Sequence, residues 1–125
     1  MLIVAAVTFG VLRGRTSRQP APVIPGENGP AVTVEVLNGS GIDGLARDVT
    51  RRLRRRGIDV LYFGSAAETS RDSTVILIRR GDSLAAVAVR KALGTGRIAV
   101  QLDPQRLLDA SVIVGRDAAA LDRNP

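Results

Sequence analysis

The sequence contains no cysteine and no histidine. Without thiolate or imidazole there is no Cys-His or Ser-His-Asp nucleophile system, no histidine acid–base group and no thiolate or imidazole metal site. A metal would have to sit on carboxylates alone. The acids Glu35, Asp43, Asp48 and Asp59 are dispersed, and no pair of them has a spacing that nominates acid–base work. Metal, cofactor and enzymatic activity are therefore not expected. Aromatics are scarce too, with two Phe, one Tyr and no Trp. The core must be aliphatic, and no stacking platform for nucleic acid accompanies the basic residues. Lysine is reduced to Lys91, so the net charge of +6 comes from 17 Arg and one Lys against 12 acids. A basic balance suits phosphates, anionic lipid surfaces, anionic wall polymers or nucleic acid, and equally a solvated surface. Arginine is the better fork for planar or tetrahedral oxyanions. The lack of cysteine is compatible with an oxidising compartment.

The 125 residues allow one domain. Residues 1–12, Met1 to Leu12, are apolar apart from Thr8. As a helix this stretch spans roughly 18 Å, short of the ~30 Å hydrocarbon core. A signal-peptide core is one reading, but no basic segment precedes it and no clean small-residue cleavage site follows. The expectation is a membrane anchor whose upstream half lies outside this sequence. Arg13, Arg15 and Arg18 flank its end at headgroup level. Taken alone, these three would put the downstream side in the cytoplasm. Residues 13–30 form an Arg, Pro and Gly linker with Pro20, Pro22, Pro25 and Pro30, an extended tether without a core pattern.

From Ala31 onward the periodicity changes. Val32–Leu37 alternates as a half-buried strand. Asn38–Gly41 turns the chain, and Ile42–Arg56 has helical spacing with Ile42, Leu45, Ala46, Val49 and Leu53 on one face. Gly57 stops that helix. Ile58–Phe63 reads as a second strand ended by Gly64, and Thr74–Ile78 as a buried third. A second helix capped by Asp82 or Ser83 runs to about Leu93, with Leu84, Val87, Ala88 and Ala92 inward. Ile98–Leu102 is a fourth strand, Gln105–Asp109 one helical turn and Ser111–Val114 a last strand. Residues 118–125 form a weakly specified tail. The class is α/β: a two-layer sandwich in the order β-α-β-β-α-β plus a final strand, with two helices on one face of a four- or five-stranded sheet.

Two stretches resemble a known family. Val34-Glu35-Val36-Leu37-Asn38-Gly39-Ser40-Gly41, followed by Gly44-Leu45-Ala46, resembles the opening of the LytR C-terminal domain. Asp109-Ala110-Ser111-Val112-Ile113-Val114-Gly115-Arg116-Asp117 resembles its closing strand, and residues 31–117 cover the match. In that family the module follows the catalytic domain of LytR/CpsA/Psr cell-envelope proteins, or stands alone behind a membrane anchor. The catalytic domain has no counterpart in these residues. The resemblance implies a non-catalytic, extracytoplasmic module of the bacterial envelope on a single N-terminal anchor. Its implied partners are a cell-wall polymer or an envelope-assembly protein, together with the membrane. It opposes the orientation favoured by Arg13, Arg15 and Arg18.

Two groups of residues are candidate sites. Asn38, Gly39, Ser40, Gly41 and Gly44 form a glycine turn at a helix start, with the G-x-G-x-x-G spacing that cradles a pyrophosphate. A dinucleotide also needs an acid at the end of the next strand. That strand ends Tyr62-Phe63-Gly64, and Glu68 comes four residues late. The simpler reading is a tight connection in which Ser40 or Asp43 caps helix amides; small-anion or nucleotide binding is the alternative function. The second group is the basic patch Arg47, Arg51, Arg54 and Arg55. It is either a helix face complementing the dipole or a surface for an anionic polymer or lipid headgroups. Nucleic acid is not an expected partner.

Overall fold

A computed structural model of the protein describes residues 31–123. The expected anchor at 1–12 and the linker at 13–30 lie outside the described residues. Thr33–Asn38 forms β1, which buries Val34 and Val36 on one face and turns Glu35 to the other. Helix α1 spans Leu45–Arg55, three residues shorter at its start than the spacing predicts. Gly44 is left-handed at the N-cap and delays the helix, so Ile42 stays outside it and exposed. Leu45, Ala46, Val49 and Leu53 are buried together as the periodicity requires, and Thr50 joins them. At the far end Gly57 N donates to the Arg54 carbonyl and Ile58 N to the Leu53 carbonyl, a Schellman closure whose two apolar residues both enter the core.

Strand β2 covers Asp59–Ser65, passing through Gly64 rather than ending at it. Strand β3 is Val75–Ile78, helix α2 is Leu84–Leu93 and β4 is Arg97–Val100. A single 3-10 turn at Pro104–Arg106 leads to β5, Ala110–Val114. A 3-10 helix, Arg116–Arg123, then places Ala118 in the core. The five strands form one sheet in the order β2-β1-β5-β3-β4. Strand β1 is parallel to β2 and β5, β3 is parallel to β4, and β3 meets β5 antiparallel. Both helices pack on one face and on each other, over a core that joins Val34, Val36, Ile76, Ile78, Val112 and Leu53. The α/β sandwich expected from the sequence is the observed architecture.

One inward face differs from expectation. Helix α2 buries Ala86, Val89, Ala92 and Leu93, and leaves Leu84 and Val87 exposed. Its sequence, LAAVAVRKAL, is apolar around most of its circumference, so periodicity alone does not choose the buried stripe.

The mixed directions give the sheet two unlike ends. At the base, β1, β2 and β5 begin and β3 and β4 finish; the crown is the opposite end. The face without helices carries a polar network near the base. Glu35 Oε2 accepts from Ser111 Oγ at 2.5 Å and from Arg106 Nη1 at 2.7 Å. Arg79 donates from Nε to Ser111 Oγ at 2.8 Å and from Nη1 to Gln101 Oε1 at 2.7 Å. Glu35, Arg79 and Ser111 are all buried, so each needs these partners. Burial, with Arg106 close by, lowers the Arg79 pKa below the ordinary arginine range, and Glu35 and Asp103 work against that shift.

The outer edge of β2 is blunted in two ways. Leu61 is an extra residue between the pairs Val34–Val60 and Glu35–Tyr62, a bulge in the strand. Arg54 Nη2 donates to the Val60 carbonyl at 2.8 Å and covers that part of the edge.

Two stability changes follow from these contacts. Thr50 Oγ1 is buried without a hydrogen-bond partner. Thr50→Val should therefore raise the unfolding free energy by about 1 kcal/mol, read by urea unfolding followed by circular dichroism. Glu35→Ala leaves Ser111 without its acceptor and Arg106 with Asp103 alone, and in the same assay should lower it by about 2 kcal/mol; an unchanged midpoint would show that water replaces the carboxylate without loss.

Candidate functional site

The glycine turn and the closing strand are about seventy residues apart in sequence and meet at the crown. Gly39 N donates to the Val114 carbonyl at 2.8 Å, so the two stretches that resemble the family touch directly. Asn38 organises the turn. Its Oδ1 accepts from Ser40 N at 3.0 Å and from Ser40 Oγ at 2.6 Å, and its Nδ2 donates to the Ile42 carbonyl at 2.8 Å. Ser40 Oγ accepts from Ile42 N at 2.9 Å. Ser40 therefore caps an amide ahead of the helix and not one within it, and it is fully buried. The connection after β2 lies over the turn: Arg71 N donates to the Gly39 carbonyl, and a Cβ on Gly41 would lie 2.6 Å from the Thr69 carbonyl oxygen. Gly41 has φ +78°, so both space and backbone require glycine there.

Of the five nominated turn residues, Asn38, Gly39, Ser40 and Gly41 thus direct polar groups or backbone at other parts of the protein. Gly44 is different, because open space surrounds the position of its absent Cβ. It lines a hollow of about 300 Å³ with Asn38, Ala46, Arg47, Phe63, Gly64 and Ser65. Neither Ser40 nor Asp43 caps α1; the N-cap is Gly44, with no side-chain hydrogen bond. No carboxylate lies at the end of β2, where a ribose would be held, and Glu68 sits behind the turn with its backbone carbonyl against Gly39.

The closing residues are structural in their contacts. Asp117 accepts from Thr74 N at 3.1 Å, from Thr74 Oγ1 at 2.6 Å and from Thr95 Oγ1 at 3.3 Å. Thr74 Oγ1 in turn accepts from Gly115 N at 3.0 Å. A Cβ on Gly115 would come within 2.5 Å of the Ser73 backbone, so the chain passes there only without a side chain. These contacts fasten the end of β5 to the start of β3. Beside them is a second crown hollow of about 520 Å³, lined by Ser73, Thr74, Arg90, Thr95, Gly96, Arg97, Ile98 and Asp117. Arg90 Nε is held on the Gly96 carbonyl at 2.8 Å. This hollow joins segments too far apart in sequence for spacing to reveal it.

The nominated basic patch divides by role. Arg51 pairs with Asp48 one turn earlier, and Arg54 is engaged on the β2 edge. Arg47 and Arg55 are exposed and make no ion pair among the described residues. The four arginines lie on one helix but do not converge on one point: Arg47 is at the crown and Arg55 at the base. Among the described residues there is no group of three His, Cys, Asp or Glu that could hold a metal ion. No helix among them is long and apolar enough to cross a membrane.

The family described as LytR cell envelope-related transcriptional attenuator matches residues 31–117, from before β1 to the aspartate that fastens β5. The cell wall biosynthesis protein LcpA of Corynebacterium glutamicum is 38% identical over 63 residues, 50% of this chain. That match spans 12% of LcpA itself. The solution structure of the C-terminal domain of RV0431 covers 92% of this chain with 91% of its own, at 23% identity and a TM-score of 0.42. With the family pattern running through both the glycine turn and the closing strand, the chain belongs to the LytR C-terminal family of cell-envelope proteins.

Proposed function

We propose that this protein is a non-catalytic, membrane-tethered module of the bacterial cell envelope that binds anionic cell-wall polymer. The observation that carries the reading is the family match over residues 31–117, on a domain whose surface displays guanidinium groups without carboxylate partners among the described residues. Arg47, Arg55, Arg56 and Arg97 are exposed and form no ion pair among the described residues. Such groups suit a repeating anionic chain, because each fork engages an oxyanion without first breaking an internal pair. The relationship to a cell-wall biosynthesis protein supports the same setting, although the chain spans only 12% of that relative. The apolar Met1–Leu12 supplies the tether and the proline-rich linker the reach from it. The folded domain lies on the extracytoplasmic side.

A non-catalytic role fits the chemistry of the site. The buried acid Glu35 is held by Ser111 and Arg106, and Asp117 by Thr74 and Thr95. The hydroxyls that these carboxylates hold most closely, on Ser111 and Thr74, are buried and so are closed to a substrate. The alternative, a small anion or nucleotide on the glycine turn, has less support, since Asn38 and Ser40 bond each other and β2 does not end in an acid. Isothermal titration of the full chain with a dinucleotide should give flat heats.

Detergent-solubilised full chain should sediment with purified peptidoglycan that retains its anionic polymers, and release as salt is raised. Arg47→Glu with Arg97→Glu should weaken sedimentation several-fold. Absence of sedimentation at low salt would remove the polymer reading. A topology reporter fused after Pro125 should report an extracytoplasmic position, and a cytoplasmic signal would remove the envelope placement.

A further inference from the structure

The large apolar side chains that the fold leaves most exposed are gathered at the base. Leu107 is 72% exposed, Val100 69%, Leu102 61% and Leu84 59%. They belong to three separate segments: the end of β4, the β4–β5 connection and the first residue of α2. Topology brings all of them to the end of the sheet where β1 starts, which is also the end nearest the linker. Local structure does not explain this exposure. Leu107 holds a left-handed conformation, φ 56° and ψ 38°, the only non-glycine positive φ among the described residues. A branched apolar side chain is disfavoured there, and it gains no burial in return.

The charges at this end are mixed but lean positive. Glu35 and Asp103 are paired with Arg106, and Asp109 with Arg80. Arg55 and Arg56, at the end of α1, make no ion pair among the described residues. Asp59 and Asp82 are exposed acids without an arginine partner. Arg54 and Arg79 donate to carbonyl and amide oxygens.

We infer that the base of the domain rests on an anionic lipid bilayer, with Leu102 and Leu107 entering the boundary between headgroups and acyl chains. A fluid apolar layer suits these leucines better than a protein socket does. They project from one short connection, between β4 and β5, and line neither of the two hollows described at the crown. Exposed leucines and arginines presented at the same end of a domain suit an interfacial membrane surface. The inference rests on the tether reading for what keeps the domain near a bilayer. It adds the orientation: base on the lipid, crown with both hollows turned away from it.

The chain has no cysteine of its own, so a single Leu107→Cys carries an environment-sensitive label at one site. Ala67→Cys, exposed in the crown connection, is the reference. Full chain is reconstituted in vesicles of phosphatidylethanolamine and phosphatidylglycerol and recovered by flotation. The label at 107 should shift to the blue and resist an aqueous quencher, while the label at 67 does neither. If the chain floats and the two labels behave alike, the docked orientation is overturned and the tether stands. If the chain does not float, both fail. Shielding at 107 that needs no vesicles and rises with protein concentration would overturn the lipid assignment in favour of a second copy. An equal response in phosphatidylcholine alone would overturn the part assigned to Arg55 and Arg56.

Two variants separate docking from folding. With the label kept at 107, Leu102→Asp should lower the ratio of docked to free about tenfold or more, the equilibrium weight of one leucine side chain. With the label at Leu102→Cys, Leu107→Asn should raise the unfolding midpoint by relieving the backbone, and at the same time lower docking. A purely structural role for Leu107 would not move those two readings in opposite directions, and parallel changes would overturn the inference.

Discussion

The last strand of the domain is the middle strand of its sheet, and the rest of the structure depends on that placement. The first half, β1-α1-β2, and the second, β3-α2-β4, share no strand pairing with each other. Strand β5 joins them, parallel to β1 on one side and antiparallel to β3 on the other. Its Ala110, Val112 and Val114 are wholly buried against the helices. Its ends are fastened separately. At the base, Asp109 exchanges hydrogen bonds with Thr33 and receives Arg79 N on its carbonyl. At the crown, Gly115 and Asp117 are bound to Thr74. A sheet completed by its last strand makes contacts of large sequence separation, a topology that folds slowly for its size.

This explains why the two recognisable stretches are the glycine turn and the closing segment. They form one structure, joined by the bond from Gly39 N to the Val114 carbonyl. Gly41 and Gly115 are each forced by a close backbone approach, at Thr69 and Ser73. The G-x-G-x-x-G spacing therefore arises from covering a turn with a later connection. A pyrophosphate would require those amides to face outward, and of the three glycines only Gly44 has open space where its Cβ would stand.

Much of the architecture was legible in the sequence, for physical reasons that also mark where legibility stopped. Strand alternation at Val32–Leu37 and the strongly one-sided α1 gave the correct class, because each had one apolar face against one polar face. Helix α2 is legible as a helix but its buried face is not, since Leu84 and Val87 are as apolar as the Ala86 and Val89 chosen for burial. Which stripe is buried depends on where the sheet lies, and that is not local information. The network of Glu35, Arg79, Gln101 and Ser111 was invisible for a related reason: its members are dozens of residues apart and none is unusual in its own segment. Spacing puts the basic run of α1 on one patch, yet Arg51 and Arg54 have internal partners while Arg47 and Arg55 lie at opposite ends. Helical spacing reports a shared side of a helix, not a shared position along it.

The blunted edge of β2 bears on how many copies can share a surface. On the proposed tether, copies confined to two dimensions would collide far more often than the same number in a volume, and an open strand invites each collision to become a growing ribbon. Here the extra residue Leu61 breaks the pairing rhythm, and the Arg54 guanidinium already occupies the Val60 carbonyl. A neighbour seeking that edge would have to displace a charge-assisted bond and straighten a kinked strand before forming its first new contact. The fold thereby tolerates crowding that would drive a regular five-stranded sheet toward polymerisation.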